Sequence, residues 1–197
     1  MDMQEQILET ATKPSVPARG EPEARASKPG EESVRLHAFY RGKMQVVPKC
    51  PISDARDFAY WYTPGVAAPC RAIQADPSGV WELTNKANLI AIVSDGSRVL
   101  GLGNIGPHAG LPVMEGKALL FKYLGGVDAV ALCLATQDAR EFARTVQLLE
   151  PAFGAINLED IAHNLAASAC STSCARRCRF PYGTMTNKDR PPRCLPD

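Results

Sequence analysis

SDGSRVLGLGNIGPHAGLPVMEGK, residues Ser94–Lys117, joins the end of an apolar strand, a glycine-rich loop and a lysine-bearing helix within 24 residues. A strand that feeds a helix through glycines is a building unit of α/β domains. Gly101, Gly103 and Gly106 fit the spacing G-x-G-x-x-G, whose missing Cβ atoms let backbone N–H groups approach a diphosphate at a helix N-terminus. A dinucleotide fingerprint also needs an acidic residue about 20 positions further on. Here Asp128 follows Gly101 by 27 residues, and Pro107 and Pro112 interrupt the helix where it should start. Glycines that serve a sharp turn and close strand–helix packing are an equally good reading of this loop.

Outward from this stretch the α/β alternation continues from Val34 to Ile161. Pro64 suits a first helical turn, and the helix it opens is expected to stop near Asp76-Pro77. Asn88–Ser94 and Arg98–Gly101 read as two strands of a hairpin around Asp95-Gly96. A helix from His108 or Gly110 to about Tyr123 is closed by Gly125-Gly126, and Val127–Ala135 is an apolar strand suited to burial on both faces. Phe142, Val146 and Leu149 mark a helix over Asp138–Leu149, and Phe153–Leu158 is a last strand running into Glu159-Asp160.

Residues 1–33 are rich in Pro, Glu, Ala, Lys and Ser, the composition of a disordered leader. The formal net charge of +1 is unevenly spread: residues 162–197 carry six Lys or Arg and two Asp, leaving the first 161 residues at −3. Nucleic acid is therefore not an expected partner of the body. No apolar run reaches the roughly 20 residues of a membrane span, so no membrane partner is expected. The N-terminus lacks a secretory h-region, and seven cysteines read most simply as reduced thiols in a cytoplasm.

Three polar offerings stand at element ends: Tyr62 in YTPGVA, Lys117 on a helix, and Glu159-Asp160 after a strand. Taken singly, each has an ordinary reading as a partly buried phenol, a solvated amine or an acidic turn. Taken with their surroundings, YTPGVAAPCRAI, VSDGSRVLGLGNIGPHAGLPVMEGKALLFKYLGGVDA and FGAINLEDIA resemble the N-terminal, substrate-binding domain of the malic enzymes in their shorter bacterial form. The similarity runs from about Arg35 to Ala162.

The resemblance implies an α/β domain of the amino-acid-dehydrogenase-like N-terminal type, with the family's C-terminal Rossmann domain absent. It implies conversion of malate to pyruvate and CO2 with NAD or NADP and Mg2+ or Mn2+. Tyr62 matches the family's tyrosine acid, Lys117 its lysine base and Arg98 the arginine near the substrate carboxylate. Glu159 and Asp160 match two of three carboxylates on the metal, while Asp95 and Asn104 flank the site without an assigned step. A neutral lysine can take the C2 hydroxyl proton as hydride leaves, and hard oxygen ligands suit a cation that polarises the ketone. A phenol can then protonate C3 without being ionised at neutral pH. On this reading the glycine loop is a wall of the malate site and not the main nucleotide cradle. Self-association or joining a full-length homologue is the expected quaternary partner.

After Ala162 the text changes to HNLAASACSTSCARRCRFPYGTMTNKDRPPRCLPD, an irregular Cys/Arg-rich tail. Cys170, Cys174, Cys178 and Cys194 offer four thiolates, but C-x3-C-x3-C with one distant cysteine fits structural zinc knuckles poorly. Back-translated and read one base out of register, residues 162–189 can give PQPRCFRLLDVLRAALPIPVWHDDQQG, which resembles the family segment that carries the third carboxylate. A frameshift is expected to account for the tail, with a truncated domain that does not run the reaction alone and an uncovered sheet edge. The alternatives are a non-catalytic malate-binding or subunit-associating remnant, and a zinc- or nucleic-acid-binding tail on a disused scaffold.

Overall fold

A computed structural model describes residues 29–163 and 182–184, and the chain divides into two compact units, up to Gly79 and from Val80 onward.

The first unit is helical. Helix α1 (Pro29–Tyr40) takes in the last five residues of the expected leader, residues 1–28 of which lie outside the described residues. Glu31 and Glu32 occupy its first turn, where the helix dipole favours negative charge, and Arg35 closes a bidentate pair on Glu32. Asp54 caps a 3-10 turn (Ala55–Asp57) that leads into α2 (Phe58–Trp61). Helix α3 (Ala67–Ala75) follows Pro64 and ends at Asp76, as the sequence predicts. None of the described residues of this unit is buried.

The second unit is a parallel sheet with helices on both faces. After the short helix α4 (Val80–Leu83) come β1 (Leu89–Ser94), α5 (Gly106–Gly125), β2 (Asp128–Cys133), α6 (Ala139–Leu148), β3 (Ala155–Leu158) and β4 (Tyr182–Thr184). The order is β2-β1-β3-β4, with every pairing parallel. Strand β1 is buried from Ala91 to Ser94, and its two faces feed two cores. Ala91 and Val93 pack with Phe142, Val146, Ile156 and Leu158 on the α6 side. Ile92 packs with Met114, Ala118 and Ala129 on the α5 side.

Two expectations are corrected in the loop after β1. Arg98–Gly101 forms no hairpin strand, because β1 is already bonded along both edges, to β2 and to β3. Val99 instead closes a tight loop on Gly103. Helix α5 starts at Gly106 despite its prolines: Pro107 lies in the first turn, where its missing N–H costs no helical bond, and Pro112 stays inside the helix. Gly96, at φ +69, sends its carbonyl to the N–H groups of Ile105 and Gly106, and a Cβ there would overlap the Gly106 carbonyl.

A third correction concerns the tail. Tyr182–Thr184 pairs with Ile156–Leu158, so part of the segment expected to be irregular supplies a strand on the edge expected to be bare. Residues 164–181 and 185–197 lie outside the described residues. The four tail cysteines and most of the alternative-frame segment fall there.

Among the described residues no helix is long and apolar enough to cross a membrane. Asp138 accepts bonds from the N–H groups of Arg140 and Glu141, which starts α6 so that Phe142 and Val146 face the sheet. Phe142 is fully buried between α6 and β1–β3. Phe142→Ala is expected to cost about 3–5 kcal/mol in urea unfolding, by lost burial plus an unfilled cavity. A loss under about 1 kcal/mol, the scale of an ordinary substitution, would mean that α6 is not packed on the sheet this way.

Candidate active site

The topology places the site before any side chain does. The chain leaves β1 toward β2 on one side and later returns to β3 on the other, so loops diverge at the carboxyl ends of β1 and β3. A ligand crevice in an open α/β sheet lies at such a switch point. Ser94–Arg98 leaves one strand there and Glu159-Asp160 ends the other.

Backbone bonds stitch these two turns together. Glu159 N–H donates to Val93 O at 3.0 Å and Arg98 N–H to Asp160 O at 3.1 Å. Ala162 N–H reaches Ser97 Oγ at 2.8 Å, and Ser97 Oγ donates to Asp95 Oδ1 at 2.7 Å. Asp95 is fully buried, and its other oxygen, Oδ2, has no hydrogen-bond partner. A buried carboxylate oxygen left unpaired is costly and marks a site shaped for something other than stability.

Lys117 reaches this edge from α5. Its Nζ lies 3.2 Å from Glu159 Oε1, with the side chains 21% and 11% exposed, so the pair is largely removed from water. Asn157, buried on β3, donates from Nδ2 to Glu159 Oε2 at 2.8 Å. Asp160 follows with φ +52, a left-handed conformation that Asp tolerates better than most residues. Burial, then the charge of Glu159, raise the Asp160 carboxyl above its ordinary range, against a smaller opposing pull from Lys117. Burial, followed by the charges of Asp95 and Glu115, likewise pushes the Cys133 thiol up.

The second unit thus brings together Lys117, Glu159, Asp160 and the backbone of Arg98, whose side chain is exposed. Tyr62 belongs to the first unit, where it ends α2 with an exposed ring. Asn104 makes a reciprocal amide pair with Gln137, joining the loops that follow β1 and β2. The loop glycines Gly101, Gly103 and Gly106 all have positive φ, with open space where a Cβ would stand. Sequence reasoning missed Asn157 and Ser97. The available signal was an amide within the buried run AINL, since a buried amide needs a partner.

The malic enzyme N-terminal domain model matches residues 41–172. The chain belongs to the malic enzyme family. It is 52% identical over 132 residues to the bifunctional malic/malolactic enzyme of Bacillus subtilis, covering 67% of this chain and 32% of that protein. It is 53% identical over 120 residues to the NAD-dependent malic enzyme of Geobacillus stearothermophilus, covering 61% and 25%. The crystal structure of the NAD-dependent malic enzyme of Thermotoga maritima superposes with a TM-score of 0.73 at 39% identity, over 77% of this chain and 42% of that one. That of the Entamoeba histolytica malic enzyme gives 0.75 at 36% identity, over 85% and 36%. The fold is that of the malic enzyme N-terminal domain, and the chain spans a quarter to a third of the length of the two named bacterial relatives.

Glu159 and Asp160 suit a hard divalent cation chemically: they are adjacent carboxylates whose mutual repulsion a cation would relieve. Among the described residues there is no group of three or more His, Cys, Asp or Glu that could hold a metal. Because the Asp160 carboxyl is raised in the folded state, keeping it ionised costs stability above that raised value, and the cost vanishes once both states are protonated. Asp160→Asn is therefore expected to raise Tm at neutral pH, with the gain shrinking as pH falls through the carboxylate range. A gain that grows on acidification, measured by thermal melts across pH, would reverse the assignment.

Proposed function

We propose that this chain binds malate and a divalent cation for the NAD- or NADP-dependent oxidative decarboxylation of malate to pyruvate and CO2. The observation that carries the reading is the Lys117–Glu159 pair beside Asp160, at the switch point of a malic-enzyme N-terminal fold. The NAD- and NADP-dependent malic enzymes among the relatives support it.

Arg98, exposed at the rim and anchored through its backbone to Asp160, takes a substrate carboxylate by charge-assisted hydrogen bonds. Lys117, in its neutral form, accepts the proton of the C2 hydroxyl from its largely buried position. Tyr62 is assigned the proton that C3 receives after CO2 departs. Glu159 and Asp160 would hold Mg2+ or Mn2+, with Lys117 in contact with the Glu159 carboxylate. When bound, the cation would supply stabilisation of negative charge on the substrate, and the nicotinamide would supply a hydride acceptor. Self-association and a reducing cytoplasm are parts of the same reading.

The 197 residues by themselves are proposed to bind malate without turning it over. Calorimetry should show malate binding that requires Mn2+ and weakens about tenfold or more in Arg98→Ala, the scale of one lost charge-assisted bond. NAD(P)H formation should stay at background in both the wild type and Lys117→Ala. Binding indifferent to Mn2+ and to Arg98 would remove the malate assignment. Turnover by the wild type above that of Lys117→Ala would replace the binding-only reading with an active enzyme.

A further inference from the structure

Strand β3 alternates sides, and the two sides have different work. Ile156 and Leu158 face α6, where they pack with Phe142 and Val146. Asn157 points the other way: its register partner on β1 is Ile92, which packs against Met114 and Ala118 of α5. Lys117 stands on α5 between those two residues, and Glu159, two positions beyond Asn157, meets it there.

An asparagine at 6% exposure in a strand that is otherwise apolar gives up solvation, and the hydrogen bond its Nδ2 donates to Glu159 Oε2 is what answers for that loss. A glutamate has three side-chain torsions, the last of them broad, so a carboxylate needs outside contacts to hold one plane. Glu159 has two such contacts on opposite oxygens, Asn157 on Oε2 and Lys117 on Oε1. Lys117 is the group assigned to move a proton, which leaves Asn157 as the fixed contact.

We propose that Asn157 is a positioning residue of this site, orienting the Glu159 carboxylate for the divalent cation. This rests on the malic-enzyme reading above. The proposal treats Asn157 as acting through Glu159, with no contact of its own to substrate or cation.

The test is Mn2+ titration of the full chain, with free Mn2+ counted by its electron paramagnetic resonance signal. Asn157→Leu keeps the volume and removes the donor, and is expected to weaken Mn2+ binding about tenfold, as for other residues that orient metal ligands. Ile156→Val, on the opposite face of the same strand, is expected to lower Tm while leaving the Mn2+ affinity unchanged. If Asn157→Leu does not fold, Asn157→Ser, smaller and too short to span the same contact, should show the same weakening. Unchanged or tighter Mn2+ binding in a folded Asn157 variant overturns the positioning role alone. A wild-type chain that takes up no Mn2+ overturns the metal reading, and the positioning role with it.

Discussion

Everything in the second unit follows from a strand hydrogen-bonded on both edges and buried on both faces. Strand β1 pairs with β2 on one side and β3 on the other, and residues Ala91–Ser94 are inaccessible to water. A strand so enclosed has no free edge to offer a hairpin partner, so the chain leaving Ser94 must turn away. The turn it takes, Gly96 receiving Ile105 and Gly106, sets the start of α5 and hence the depth at which Lys117 meets the sheet.

The same constraint concentrates charge. Parallel strands end together, so the residues following β1 and β3 lie side by side, and the bonds from Arg98 to Asp160 and from Ala162 to Ser97 hold them there. The result is a cluster in which Asp95, Glu159 and Asp160 are all at least partly removed from water, one oxygen of Asp95 unpaired and the Asp160 carboxyl raised. Such an arrangement costs stability, and a raised carboxyl beside a buried, unpaired carboxylate oxygen at a strand-end crevice makes this a candidate binding or catalytic centre. Lys117 offsets part of the cost, with an ion pair far less exposed than those of Arg35 or Arg56 in the first unit.

Helices and strands of the α/β body were legible from apolar runs bounded by capping and turn residues. Asp138 before α6 and Gly126 after α5 act as their types predict, the first accepting two backbone bonds and the second adopting φ +68. The Asp95-Gly96 hairpin was misread because a local turn signal says nothing about whether the preceding strand has a free edge. Pro107 and Pro112 suggested an interruption, whereas a first-turn proline removes no helical bond and one interior proline left a long helix intact. Likewise, Tyr182–Thr184 lacks the flanking pattern of a strand, and it is one only because the edge of β3 is there to pair with.

The sequence by itself determined the family, the α/β class and the residue types fit for the chemistry, because these reside in local pattern and in the matching text around Tyr62, Lys117 and Glu159-Asp160. What only the tertiary structure decided is which of those groups act on each other. Lys117 and Glu159 are 42 positions apart, and Ser97 and Ala162 are 65. Their contacts exist because strand order 2-1-3 sets the ends of β1 and β3 together and strand parity turns Asn157 and Glu159 toward α5. Neither register nor strand order is written in any one segment, since both are fixed by pairing between segments distant in the chain.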